Sequence, residues 1–251
     1  MTPRASAAPP QPPVVTRKAL PKRPKQVGRD VALEYIRRLE QTYPDAKCSL
    51  DHRNPYELLV ATILSAQCTD ERVNMVTPDL FKRFPNAEAL VDADVEDLEN
   101  RIRSTGFFRN KTKSLLGMAR AVVDKHRGEI PRTMDELTHL PGVGRKTANV
   151  VLGNAFGLNE GIVVDTHVTR VSFRLGLTRH TDAVKIEQDL VKVVPREKWT
   201  LFSHLLIFHG RAICVARRPL CENCPLWDIC PSSLVQVGQG PRARGQGAGR
   251  G

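Results

Sequence analysis

Leu140-Pro141-Gly142-Val143-Gly144-Arg145-Lys146-Thr147-Ala148 is the stretch on which the reading of this chain turns. A helix end at Leu140 meets Pro141, which cannot continue it. Gly142 and Gly144 permit a tight turn, and a new helix starts near Arg145. The spacing predicts a helix–hairpin–helix whose second helix points its first N–H groups at one spot. Such a spot binds phosphate, and it reads a nucleic-acid backbone without reading its sequence.

Outward from the hairpin the apolar periodicity is helical. Val31, Ala32, Tyr35, Ile36 and Leu39 form one apolar face. Asn54-Pro55-Tyr56-Glu57 supplies an N-cap, a first-turn proline and a capping-box glutamate for a core helix from Tyr56 to about Gln67. A helix from Asn110 to His126 stops at Gly128, and Thr133-Met134-Asp135-Glu136 starts a short one. The acidic run Asp92 to Glu99 reads as a solvated face. With no alternating strands and no internal repeat, the expected fold is all-α.

The formal net charge of +11 is unevenly spread. Residues 1–28 hold six Arg/Lys and residues 234–251 three Arg, with no acid in either, which leaves only +2 for residues 29–233. Any polyanion must therefore meet local patches of the folded part. The proline-rich residues 1–28 and the Gly/Arg-rich residues 234–251 read as disordered tails. No apolar run is long enough to span a membrane, and six cysteines are too few for a disulfide scaffold. These features predict a soluble intracellular protein, and a monomer is the expected state.

Lys146 falls in the first turn of the hairpin's second helix. A lysine there ordinarily makes a phosphate contact, yet the positive end of a helix dipole is an unfavourable place for an ammonium. A carboxylate is also within reach. The helix from Lys146 to about Phe156 rises ~15 Å, and the return through Gly157 and Gly161 can span ~30 Å. The chain can thus bring Asp165 back beside Lys146. Asp165 alone reads as an N-cap; beside Lys146 and a backbone-binding hairpin, the pair suggests a nucleophile and its carboxylate partner.

Cys214, Cys221, Cys224 and Cys230 fall within 17 residues, with Pro219, Pro225 and Pro231 stiffening the loop. Four thiolates so spaced share a metal centre, zinc or an iron–sulfur cluster. Cys48 and Cys68 carry no motif and read as free thiols.

Together the Leu140–Ala148 hairpin, Val164-Asp165-Thr166-His167 and the cysteine spacing resemble the endonuclease III family, iron–sulfur DNA glycosylases of the helix–hairpin–helix superfamily. The match covers roughly residues 30–233, and Ser65-Ala66-Gln67-Cys68-Thr69-Asp70 and Leu206–Arg211 fit the same pattern. The resemblance implies two helical domains flanking a DNA-binding cleft: residues 49–158, a six-helix barrel-like domain with the hairpin, and residues 29–48 plus 159–233, which carry a [4Fe–4S] cluster. It implies base-excision repair of oxidised pyrimidines in duplex DNA holding damaged bases or abasic sites. Lys146 would form a Schiff base and cut the strand by β-elimination, with Asp165 assisting. DNA contacts would come from Gln67 in the gap left by the flipped base, Phe107 as a wedge, Gly142, Gly144 and Arg145 in the hairpin, and Arg217 and Arg218 in the cluster loop. Ser65, Cys68 and Asp70 would line the base pocket. Other readings are a mismatch or pyrimidine-dimer glycosylase, a non-enzymatic iron–sulfur redox sensor on DNA, and a zinc-dependent hairpin module. The compartment would be the nucleoid in a prokaryote, the nucleus or mitochondrion in a eukaryote.

Overall fold

Side-chain caps fix most of the helix starts. The computed structural model describes residues 19–235, among which eleven α-helices follow in order. They are α1 (Arg29–Thr42), α2 (Pro55–Leu64), α3 (Asp70–Arg83), α4 (Ala87–Val91), α5 (Val95–Ile102), α6 (Phe108–His126), α7 (Met134–Thr138), α8 (Arg145–Ala155), α9 (Thr166–Arg174), α10 (Ala183–Val193) and α11 (Trp199–Ala212). Asn54, Thr69, Asn86, Asp94, Thr133, Asp165 and Asp182 each accept a backbone N–H at a helix start. The all-helical expectation holds, with Val235 a single isolated bridge residue among the described residues.

Two boundaries differ from the sequence reading, both at turns that matter later. The helix begun at Pro55 ends at Leu64 and not at Gln67, because Gln67 adopts a left-handed backbone, φ 54°. The acidic run is more than a solvated face: Asp94 caps α5, and Asp97 pairs with Arg101 at 2.9 Å.

The apolar faces assemble into two cores. One is built by α2 to α8 around residues such as Leu58, Leu64, Leu98, Leu115 and Leu152. The other joins α1 to α9, α10 and α11 around Tyr35, Leu39, Phe202 and Leu206, and the four-cysteine loop packs on it. The chain thus leaves the second core after α1 and returns to it after α8. At the seam, α8 lies close on α11: a Cβ at Gly153 would stand 2.3 Å from Thr200 Oγ1. Asn154 and His204 hydrogen-bond there at 2.7 Å.

Residues 19–28 depart from the expected disordered tail. Pro24 is buried, and the Val27 N–H donates to Gly176 O at 3.1 Å. Gly176 has φ +71°, and a Cβ on it would collide with the Lys25 carbonyl. Burial of an apolar anchor and a backbone hydrogen bond outweigh the composition of this short stretch. Residues 1–18 and 236–251, the bulk of both expected tails, lie outside the described residues. Among the described residues, no helix is long and apolar enough to cross a membrane.

Candidate active site and cluster loop

The hairpin forms where the glycines allow it. Gly142 has φ +78°, and a Cβ there would stand 2.6 Å from the Ser114 Cβ, so this glycine is required by the fold itself. Gly144 is different. It sits at the N-cap of α8 in ordinary extended backbone, φ −95° and ψ 175°, with nothing within 4 Å of a would-be Cβ. No side chain caps this helix start, so its first N–H groups have no side-chain acceptor at the N-cap.

Lys146, exposed in the first turn of α8, and Asp165, the N-cap of α9, line one cleft between the two cores, with a volume of ≈ 120 Å³. The N-cap reading of Asp165 holds. Its Oδ1 accepts from the Val168 N–H at 2.7 Å, which fixes the carboxylate, while Oδ2 has no hydrogen bond among the described residues. Lys146 has no ion-pair partner among them either. His204 borders the same cleft, and burial pushes its imidazole down to about 4, so it is neutral at pH 7.

Of the expected pocket residues, Ser65 and Asp70 line this cleft; Cys68 does not, because its half-buried thiol packs against the first core. Asp70 is not a cap, since Thr69 fills that role; it pairs with Arg211 at 2.7 Å on the cleft wall. Gln67 and Phe107 border a separate hollow beside Gly142. Both have left-handed backbones, φ 54° and 48°, and Phe107 is 62 % exposed. Arg145 departs from expectation. Its guanidinium grips Glu187 through Nε at 2.9 Å and Nη2 at 3.1 Å, tying α8 to α10, because that carboxylate is itself nearly buried and needs a cation.

The four cysteines and their neighbours enclose one small cavity, with Leu20, Leu175, Ile213 and Trp227 among its apolar walls. Four thiols lining one apolar-walled cavity fit the ligand set of a tetrathiolate centre, zinc or iron–sulfur. Burial pushes Cys224 and Cys230 up to about 12; forming thiolates there takes the positive charge of bound iron.

A model of the HhH-GPD superfamily base excision DNA repair protein matches residues 60–196, and one of the iron–sulfur binding domain of endonuclease III matches residues 214–230. Endonuclease III of Synechocystis sp. is 56 % identical over 202 residues, 80 % of this chain and 92 % of that protein. The Escherichia coli K12 enzyme is 39 % identical over 198 residues, 79 % of this chain and 93 % of its own length. Among solved structures, a trapped endonuclease III–DNA covalent intermediate aligns with a TM-score of 0.77 at 45 % identity, covering 82 % of this chain and 96 % of that one. A thermostable thymine-DNA glycosylase aligns at 0.72 and 25 %, covering 80 % and 94 %. The chain belongs to the endonuclease III family.

As an endonuclease III relative it is a base-excision-repair DNA glycosylase and abasic-site lyase, and its cysteine loop carries a [4Fe–4S] cluster. The zinc-module and non-enzymatic readings fall with that result. What sequence reasoning missed is how this endonuclease III loop is held. Arg174, 8 % exposed, donates to the carbonyls of Cys214 at 3.3 Å, Val215 at 2.8 Å and Ala216 at 2.6 Å. The Leu220 N–H closes the loop on Ile213 O at 2.9 Å. Arg217 and Arg218 stand exposed at its tip. His209, held neutral by burial with its pKa pushed down to about 4, lies between Tyr43 and Cys224, 3.2 and 3.6 Å away. No sequence motif marks Arg174, because its partners lie 40 to 42 residues away.

Proposed function

We propose that this enzyme removes oxidised pyrimidines from duplex DNA, with Lys146 as nucleophile and Asp165 as its carboxylate partner. The observation that carries the reading is that these two side chains, at the starts of α8 and α9, open onto one cleft beside an uncapped backbone-binding hairpin. The duplex bends, and the damaged nucleotide swings out into that cleft. Gln67 fills the vacated space, and Phe107 wedges against the opposite strand. The hairpin N–H groups around Gly142 and Gly144, with Arg217 and Arg218, hold phosphates.

The chemistry follows from the pair. Asp165 helps take a proton from the Lys146 ammonium, and the freed Nζ attacks C1′ of the sugar. The C1′–N bond to the base breaks, its electrons leave with the base, and the base is protonated. A fixed carboxylate beside the sugar lowers the energy of the positive charge that develops there, an effect worth several kcal/mol. Opening of the sugar gives a protonated imine between Lys146 and C1′. Loss of a C2′ proton then expels the 3′ phosphate oxygen, and the strand is cut 3′ to the lesion. When bound, the cluster supplies iron–thiolate bonds that close the loop carrying Arg217 and Arg218. No step passes through it.

The thymine-DNA glycosylase likeness supports a second reading, a mismatch glycosylase on the same scaffold. An excision panel on thymine glycol, dihydrouracil, thymine mismatches and ultraviolet dimers separates the two. Excision of thymine glycol and dihydrouracil at rates well above the others is the expected result; mismatch-only activity would replace the oxidised-pyrimidine reading. The curated relatives named above are bacterial, and we place this enzyme on the nucleoid accordingly.

A further inference from the structure

The turns that carry Gln67 and Phe107 are joined by a side chain that the chemistry above does not use. Lys111, on α6, is 4 % exposed, and its Nζ donates to Leu64 O at 2.7 Å and Thr105 O at 2.8 Å. Leu64 ends α2, so its carbonyl is an orphan acceptor at the negative end of a helix dipole. Thr105 ends the 3-10 turn Arg103–Thr105, directly before Gly106 and Phe107. One ammonium therefore holds a carbonyl three residues before Gln67 and another two residues before Phe107.

The arrangement is costly for a mere space-filler. No carboxylate pairs with Lys111 among the described residues, and an apolar side chain of the same length would fill the site without desolvating a charge. What the ammonium adds is a fixed distance between two chain segments. Each segment then enters a left-handed non-glycine residue, a conformation that persists only where the surroundings over-determine it. The hollow between the two turns is lined by Gln67, Phe107 and Lys111 together. Lys111 does not border the Lys146 cleft.

We propose that Lys111 is a positioning residue for strand separation, locking the two turns so that Gln67 and Phe107 enter the duplex as one unit. The assignment rests on the wedge and gap-filling roles given to those two side chains above. Opening a base pair is then a concerted act of two turns, and loosening one should disable both. A lesion that has no pairing partner should not need the clamp.

Lys111→Met keeps the arm's length and removes its donors. Each preparation is assayed under single-turnover conditions on two duplexes, one with dihydrouracil facing its normal partner base and one with dihydrouracil facing an abasic analogue. The ratio of paired to unpaired rates cancels any loss of folded protein. The expected result is a tenfold or greater fall in that ratio for Lys111→Met and for Gln67→Ala, with the double variant no worse than the worse single one. An unchanged ratio in Lys111→Met beside a lowered one in Gln67→Ala would overturn the clamp and leave the wedge reading standing. Unchanged ratios in both Gln67→Ala and Phe107→Ala would take down the wedge reading and the clamp with it. Losses that multiply in the double variant would show that Lys111 acts apart from Gln67, against the proposal.

Discussion

Replacing Arg174 by methionine isolates what holds the cluster loop against the second core. The guanidinium gives hydrogen bonds to three consecutive loop carbonyls, and the residue is 8 % exposed. The Ala216 carbonyl belongs to an exposed residue and recovers a partner from water; those of Cys214 and Val215 belong to half-buried residues. Losing a charged donor from an acceptor costs about 1.5–3 kcal/mol, so two such losses amount to about 3–6 kcal/mol. For a domain of this size that corresponds to a midpoint temperature about 6–24 °C lower. The assay is thermal melting alongside the visible absorbance of the cluster, which should bleach at a lower temperature and faster in air than in the unaltered enzyme. The loop's tip would be released too, so duplex affinity should fall towards that of an Arg217→Ala/Arg218→Ala variant. A midpoint within about 2 °C of the unaltered enzyme, with undiminished iron content, would refute the reasoning.

Three further outcomes follow from individual positions. His204 is held neutral in the fold, with a pKa of about 4, but protonates near 6.5 in the unfolded chain, so its contribution is intact above pH 6.5 and is lost as pH falls towards 4. The loss approaches about 3 kcal/mol, and His204→Gln should flatten the acid limb of a melting-temperature profile; identical limbs would contradict this. Gly142→Ala meets both a left-handed φ and the Ser114 Cβ and should cost ~1–3 kcal/mol of stability. Gly144→Ser should leave the melting point unchanged or raised, since serine is a good N-cap, while weakening duplex binding about tenfold by filling the space that a phosphate would approach. Unaltered duplex affinity in Gly144→Ser would remove the hairpin from the interface.

The parts of this molecule written in short stretches of sequence could be read from it. The hairpin, the Asn54 and Thr133 caps and the cysteine spacing are local patterns, and each appears in the fold. The arrangements that cross the chain could not be read. Arg145 reads as a DNA contact by resemblance; its partner Glu187 lies 42 residues away. Lys111 lies in no sequence motif, and it is buried against carbonyls 47 and 6 residues distant. Gln67 and Phe107 were marked as DNA contacts by resemblance, but their left-handed backbones had no signal, apart from Gly106 before Phe107. Residues 19–28 depart from the tail reading for the opposite reason: their composition resembles the tail before them, while Val27 packs on the second core and its N–H donates to Gly176 O, far along the chain.

The central claim is that Lys146 is the nucleophile, and borohydride reduction during reaction with an abasic-site duplex tests it most directly. Reduction of the imine should leave a covalent protein–DNA adduct whose cross-linked peptide contains Lys146, and Lys146→Ala, with its cluster absorbance intact, should give none. An adduct undiminished in Lys146→Ala, or no adduct with the unaltered enzyme, would contradict the account.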